Sequence, residues 1–337
     1  MARSAIAFFL ALFIVVLLAS PVFPQSVAAR NHYKVGKNHL ESGRYGEAEK
    51  EFKEALKIEG RYSDAMYLLG LTYLFQNNYD DAQKCIEQVI RQEPRFDTAR
   101  LYLATILMEK EQFSKAKEQL QYVINSDHNF YQAYYGMGVI LYKEGDLPKA
   151  IDQWKKALTL EKTYAPAYYN MGLALYLIDK KDEGTKALEK AISLKPQNPL
   201  YQFSLAWIQY GEGKKEEALR SFGKLKDMGS GTPLGLLSEG MIQYGKESYE
   251  TALEWALKAQ AQDRKCEKAF ELAAMSCEAL EEWDEAARNY EALMKLDPNE
   301  KAFKEKIGAL QEKIKSLEEE RIQRSRYPYH EMNRIIK

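Results

Sequence analysis

A spacing of 34 residues runs without insertion from Ala29 to Glu300 and divides this stretch into eight units. The eighth and twentieth residues of the units are small. They are Gly36, Gly70, Ala104, Gly138, Gly172, Ala206, Gly240 and Ala274 at the eighth position, and Ala48, Ala82, Ala116, Ala150, Gly184, Ala218, Ala252 and Ala286 at the twentieth. Small side chains at two fixed points let paired helices cross at close range. The spacing therefore predicts eight helix pairs, each needing its neighbours to complete its core.

Large side chains and turn residues recur in the same phase. The space between units is filled by Phe52, Ile86, Leu120, Trp154, Leu188, Phe222 and Tyr290. Segments 76–78 and 144–146 are turn-forming, and Pro94, Pro196 and Pro298 stand where second helices must end. The predicted units are 29–62, 63–96, 97–130, 131–164, 165–198, 199–232, 233–266 and 267–300.

These residues resemble the tetratricopeptide repeat, which has a 34-residue period, Gly or Ala at position eight, Ala at position twenty and Pro near position 32. The resemblance covers residues 29–300. It implies an all-α fold, a right-handed solenoid of antiparallel helix pairs, whose concave face holds a peptide or partner protein.

Units six and seven depart from the pattern. Gln209, Glu239 and Gln243 replace expected apolar residues, and the glycine-rich segment 229–235 replaces a firm helix end. We expect looser packing there, and the sequence leaves open whether the region is a hinge or a degenerate repeat.

The first 28 residues have the plan of a signal peptide: Arg3, the apolar run Ala5 to Ala19, and small residues before a predicted cleavage after Ala28. An uncleaved membrane anchor, with residues 5–23 in the membrane, is the alternative. Either interpretation predicts an exported protein, in a bacterial periplasm or at the periplasmic face of the inner membrane.

Past the repeats, Phe303, Ile307, Leu310, Ile314 and Leu317 form one apolar stripe on a helix. The stripe predicts a capping helix over residues 301–323, with a coiled-coil dimer as the alternative. Residues 324–337 are predicted to form a poorly ordered tail.

No residue pattern for catalysis is present. The four histidines, His32, His39, His128 and His330, lack metal-ligand spacing, and phosphate-loop and nucleophile-elbow motifs are missing. Cys85, Cys266 and Cys277 are expected to be free thiols, and His39 and Cys277 are expected to pack in the core. We therefore expect neither an enzyme nor a cofactor. Since Lys plus Arg (48) nearly balances Asp plus Glu (49), nucleic acid is not an expected partner.

The family resemblance also predicts the binding surface, because positions 2, 5, 9, 12 and 13 of each first helix line the inner wall. Position 9, often polar in the family, is apolar here in six units, at Leu71, Val139, Leu173, Trp207, Met241 and Met275. Exposed apolar patches mark binding sites. The predicted groove residues are Tyr67, Leu71, Leu74, Phe75, Tyr135, Val139, Tyr142, Tyr169, Leu173, Tyr176, Leu177, Phe203, Trp207, Tyr210, Leu237, Met241 and Tyr244.

Such a groove suits an apolar or amphipathic peptide, so the leading hypothesis is a protein-interaction scaffold of the cell envelope. The clamp by which some relatives hold the chaperone carboxylate is missing, because Tyr33, Tyr135 and Tyr169 stand where it needs lysine and no basic residue adjoins Asn170. The alternatives are a scaffold for polysaccharide export, with sugars stacked on the aromatic side chains, and a self-assembling structural protein.

Overall fold

The computed structural model describes residues 26–229, 231–296 and 301–326, and this part of the chain is helical with no strand. The predicted all-α fold of antiparallel helix pairs is confirmed. The helices are α1 (Val27–Glu41), α2 (Tyr45–Ile58), α3 (Ser63–Phe75), α4 (Tyr79–Gln92), α5 (Asp97–Glu109), α6 (Phe113–Ser126), α7 (Tyr131–Lys143), α8 (Leu147–Leu160), α9 (Ala165–Leu177), α10 (Lys181–Leu194), α11 (Pro199–Gly211), α12 (Lys215–Met228), α13 (Pro233–Gly245), α14 (Tyr249–Gln262), α15 (Glu267–Ala279), α16 (Trp283–Leu296) and α17 (Lys301–Arg326).

The helices form two compact units, divided after Leu194. They are called the first unit and the second unit below, and each contains several of the numbered 34-residue repeats. The first unit contains α1 to α10, and the second contains α11 to α17. The 34-residue period continues across this division without a change of phase.

The close helix crossings predicted from the small residues are present. A Cβ atom placed on Gly138 would lie 2.5 Å from Nε1 of Trp154, and one placed on Gly172 would lie 2.9 Å from the carbonyl oxygen of Gly184. The Trp154 indole N–H also donates a hydrogen bond of 3.2 Å to the Tyr135 carbonyl. Position eight must therefore be small, because no side chain fits between the helices of these pairs.

Each pair turns through one residue in the left-handed conformation, always the fifteenth of its unit. The set is Gly43, Asn77, Glu111, Gly145, Asp179, Gly213, Glu247 and Glu281, with φ between 57° and 83°. At the α7–α8 turn, the Gly145 N–H donates to the Tyr142 carbonyl at 3.0 Å and the Asp146 N–H to the Leu141 carbonyl at 2.9 Å. This geometry ends the first helix and satisfies its last carbonyl groups. Glycine adopts this left-handed conformation without steric strain, whereas the Cβ atom of glutamate is strained in it.

The first pair closes its end of the first unit with polar residues. Asn31 and Asn38 on α1 are exposed, whereas the equivalent residues of α3, Ala65 and Thr72, are buried against a preceding pair. The Ser26 hydroxyl caps α1 by accepting the Ala29 N–H at 3.1 Å. The predicted cleavage after Ala28 falls in this first turn, and residues 1–25 lie outside the described residues. The signal-peptide and anchor hypotheses both stay predictions.

Two of the three polar residues that depart from the pattern, Glu239 and Gln243, form a polar set with Lys226. Lys226 Nζ lies 2.7 Å from Glu239 Oε2, and the Gln243 amide donates to Glu239 Oε1 at 2.8 Å. The looser packing expected here is not observed, since Phe222 and Leu237 are fully buried. The expectation about the helix end is also wrong: α12 ends at Met228, the same position in its repeat at which α10 ends.

The final helix, α17, packs on the eighth pair through its first half. Ile307 and Leu310 are buried, and the Phe303 and Tyr290 ring centroids are 5.9 Å apart. Lys306 Nζ donates to the Tyr290 hydroxyl at 2.7 Å. The helix ends at Arg326, three residues beyond the predicted 323, and residues 327–337 of the predicted tail lie outside the described residues. None of the described helices is both long and apolar enough to span a membrane.

Candidate functional site on the inner face of the repeats

The structure separates the seventeen predicted groove residues by exposure. The expectation of an exposed groove is not met for the eight buried ones, which are Leu71, Leu74, Tyr135, Tyr169, Phe203, Tyr210, Leu237 and Met241. Eight others are half-buried, namely Tyr67, Phe75, Val139, Tyr142, Leu173, Tyr176, Trp207 and Tyr244. Leu177 alone is exposed, with 46% of its surface accessible. The residues therefore belong to three different environments.

In the second 34-residue repeat, the predicted groove residues Leu71 and Leu74 belong to the core. Leu71 and Leu74 lie in the same apolar cluster as Leu101 and Tyr102 of the next pair. The Tyr67 ring packs edge-on against Tyr102, with centroids 5.8 Å apart, and burial raises the pKa of the Tyr67 hydroxyl. Leu71 and Leu74 therefore have almost no surface area left to offer a partner.

In units four and five, buried tyrosines support the inner face from below. The Tyr164 ring meets Tyr135 at a right angle, with centroids 5.3 Å apart, and meets Tyr131 at 4.9 Å. The Asn170 amide donates a 2.8 Å hydrogen bond to the Tyr135 hydroxyl, which links α9 to α7. These contacts hold the orientation of the two helices, so the side chains above them are presented on a rigid base.

Above this base lies a surface that we call the open face. It consists of three pairs of equivalent positions on α7 and α9: Val139 with Leu173, Tyr142 with Tyr176, and Lys143 with Leu177. Its apolar members other than Leu177 are half-buried. The Tyr142 ring rests 6.0 Å from the Trp154 ring, centroid to centroid. The open face is thus apolar, partly accessible and fixed by the core beneath it.

In the second unit, by contrast, the inner face is covered by the chain itself. The Trp207 indole N–H points to Glu271 Oε1 at 3.4 Å, and Lys268 Nζ lies 4.8 Å from the Trp207 ring centroid. Trp207 belongs to α11 and the two charged residues to α15, two pairs further on. Between them, Leu237 has 0% and Met241 1% of its surface exposed. The sequence predicted that Trp207, Leu237 and Met241 line a groove. Instead, the Trp207 side chain covers the other two.

Tyr210 and Tyr244 also make contacts within the second unit. The Tyr244 ring lies 6.1 Å from Tyr210 and 5.2 Å from Tyr249, both edge-on. Burial raises the pKa of Tyr244 to about 12. Its hydroxyl therefore stays protonated at neutral pH, as a neutral hydrogen-bonding group.

Among the described residues, no group of three His, Cys, Asp or Glu side chains is placed to hold a metal ion. Burial raises the pKa of both Cys85 and Cys277 to about 11, which keeps these thiols protonated and unreactive. His32 Nδ1 lies 2.7 Å from Glu51 Oε2, as part of the contact between α1 and α2.

Models of the tetratricopeptide repeat match residues 39–97 and 165–198, and a model described as TPR repeat matches residues 140–179. No curated protein matches the chain at a significant level.

Solved structures share the fold at low sequence identity. A tetratricopeptide-repeat protein from Parabacteroides merdae is 17% identical with a TM-score of 0.60, and the match covers 74% of this chain and 98% of that one. Yeast Tom70 is 17% identical with a TM-score of 0.56, over 99% of this chain and 72% of its own. A chain of the Cut9–Hcn1 hetero-tetramer of the APC/C is 13% identical with a TM-score of 0.60, and the match covers 82% of this chain and 54% of that one. The repeat models thus identify tetratricopeptide repeats within residues 39–97 and 140–198, and the solved structures show that the chain shares the fold of proteins built from such repeats.

Proposed function

We propose that this protein is a non-catalytic scaffold that binds an apolar or amphipathic peptide segment of a partner protein on the open face of α7 and α9. The observation that carries the proposal is the exposure of Leu177, 46% accessible, beside the half-buried side chains of Val139, Leu173 and Tyr176. Complete burial of a leucine side chain is worth about 1.5–3 kcal/mol. A partner that covers this surface gains most of its binding energy there.

The rigid base favours a preformed binding surface over one that must be ordered by its partner. The Tyr135–Tyr164 contact and the Asn170 hydrogen bond already fix α7 against α9. A partner then loses less conformational entropy on binding, because the scaffold side is ordered beforehand. Tyr176 of the open face adds a hydroxyl group that can bond to the polar edge of an amphipathic segment.

We also propose that the scaffold acts in the cell envelope, supporting the assembly of an envelope complex. The support for this location is the apolar run from Ala5 to Ala19 and the small residues that follow it. N-terminal sequencing of the protein purified from fractionated cells tests the proposal. A mature chain that starts at Ala29 in the periplasmic fraction agrees with it, whereas an intact Met1 in the cytoplasmic fraction refutes it.

Two exposed leucines of the same repeat region allow a matched test of the binding surface. Leu177 lies on the open face, and Leu160, 39% exposed, ends the second helix of the fourth pair. A photoreactive amino acid is placed at either position in cells that express the protein. We expect defined polypeptides to crosslink through position 177 and not through position 160.

Aspartate substitutions at the same two positions test whether the surface is needed for capture of the crosslinked polypeptides. Leu177→Asp should abolish capture of those polypeptides, whereas Leu160→Asp should leave it intact, and both variants should melt like the parent because both side chains are exposed. Crosslinking that is equal at the two positions refutes the proposed surface. Crosslinking to a second copy alone, with a mass that rises with concentration, indicates self-assembly, and retention on an immobilised glycan indicates the polysaccharide alternative.

A further inference from the structure

Lys143 supplies a basic side chain to the open face, and Lys181 Nζ lies 5.9 Å from the ring centroid of Tyr176. Lys143 is the last residue of α7, is exposed, and follows Val139 by one helical turn. Within the described part of the chain, no carboxylate oxygen lies within 4.0 Å of its ammonium group. Leu177, the most exposed apolar side chain of the surface, occupies the equivalent position in the next pair.

The carboxylates at this end of the fourth and fifth pairs are already paired with other lysines. Lys117 Nζ donates to both carboxylate oxygens of Glu144, at 2.7 and 3.0 Å. Asp146 lies 2.7 Å from Lys149 Nζ, and Asp179 lies 3.5 Å from Lys181 Nζ. These ion pairs offset the acidic residues of the two turns.

The preceding pair has a carboxylate, Glu109, at the position equivalent to Lys143. Burial raises the pKa of Tyr79, and the Glu109 carboxylate, which is hydrogen-bonded to this tyrosine, raises it further. Glu109 is therefore already hydrogen-bonded to Tyr79. The open face itself contains no acidic residue.

Resting on the proposed function, we propose that the segment bound by the open face is acidic as well as apolar, with a carboxylate that pairs with Lys143 while apolar side chains cover Val139, Leu173 and Leu177. Charge complementarity at the edge of an interface selects partners and fixes their register more than it adds affinity. Lys143 would thus decide which apolar segments are accepted and in which direction they lie.

Selection from a phage-displayed library of random short peptides tests this inference, with the purified protein and Lys143→Glu as separate targets. We expect the parent to enrich peptides that combine apolar residues with Asp or Glu, and Lys143→Glu to enrich peptides with Lys or Arg instead. A synthetic peptide chosen on the parent should bind Lys143→Glu about tenfold more weakly or worse.

Two further variants separate the possible failures. Lys155→Glu changes an exposed lysine on the outer helix of the same pair and should not alter the selection, whereas Leu177→Asp should abolish it. Peptides that require Leu177 but show no acidic preference, and that bind Lys143→Glu as they bind the parent, overturn this inference and leave the proposed function standing. If no selected peptide depends on Leu177, the proposed function itself fails.

Discussion

The inner faces of the two compact units are built from the same repeat, yet the first remains accessible on α7 and α9 whereas the second is covered by its own side chains. At the ninth position of their helices stand Leu173 in the first unit and Trp207 in the second. Leu173 stays within the open face, whereas Trp207 reaches Glu271, two pairs away, and Met241 beneath it is 1% exposed. The size of one side chain, and the charged residues available to meet it, decide whether an inner face is free for a partner.

Two tryptophans allow the difference to be measured, and the largest effect should come from the first unit. Trp154 is packed between α7 and α8 and almost fully buried, so Trp154→Ala should lower the free energy of unfolding by about 3–5 kcal/mol. The open face should be lost with it, since Tyr142 rests on this ring. Denaturant unfolding followed by circular dichroism measures the change. A loss below about 1 kcal/mol would contradict the packing described here.

Trp207→Ala should produce a smaller loss of stability, about 1–2 kcal/mol, because its side chain is only half-buried. Its main effect should be to expose Met241. Mild peroxide treatment followed by mass spectrometry should show faster oxidation of Met241 in the variant, with Met137 of the first unit unchanged as the control. If Met241 oxidises at the parent rate, Trp207 is not what covers the second inner face.

Acid should lower the stability of the second unit through Glu239. The same position of α3 and α5 is occupied by the buried residues Leu69 and Leu103, which carry no charge. Burial raises the pKa of Glu239, but its bonds to Lys226 and Gln243 outweigh that effect and leave the pKa below the ordinary 4.5. The ionised form therefore stabilises the fold above pH 4.5, and this contribution is lost as the pH falls through the folded-state pKa. Glu239→Gln should flatten the fall of Tm in acid, as measured by calorimetry, and an unchanged slope would show that other carboxylates govern it.

The smallest effects should be equal in the two units, because they concern the turns rather than the inner faces. Glu111 in the first unit and Glu247 in the second adopt positive φ, so Glu111→Gly and Glu247→Gly should each stabilise the protein by up to about 1 kcal/mol. Gly145→Ala should destabilise by a similar amount. Thermal melting of the three variants measures these changes, and a loss of stability in both glutamate variants would contradict the steric argument.

The sequence was sufficient to predict the helix pairs and their crossings, because a fixed period repeats the same small residues. It was not sufficient to predict which inner-face residues are accessible. A list of positions treats every unit alike, whereas the accessibility of Met241 depends on Trp207 and Glu271, which lie 64 residues apart.

The left-handed residue at the fifteenth position was also missed. Glycine, asparagine, aspartate and glutamate share that conformation here, so residue type alone gave no common signal. The spacing of 34 residues between Asn77 and Glu111 would have shown it if the turn had been aligned as well.

The shared turn position has a consequence for how such a chain can change in length. Gain or loss of a whole 34-residue unit leaves every remaining left-handed residue at the end of its first helix, and every small residue at its crossing. A deletion of any other length inside a repeat puts bulky side chains at those crossings. Recombination between repeats can therefore shorten or lengthen the protein in whole repeats, while small insertions and deletions inside the helices are eliminated by misfolding.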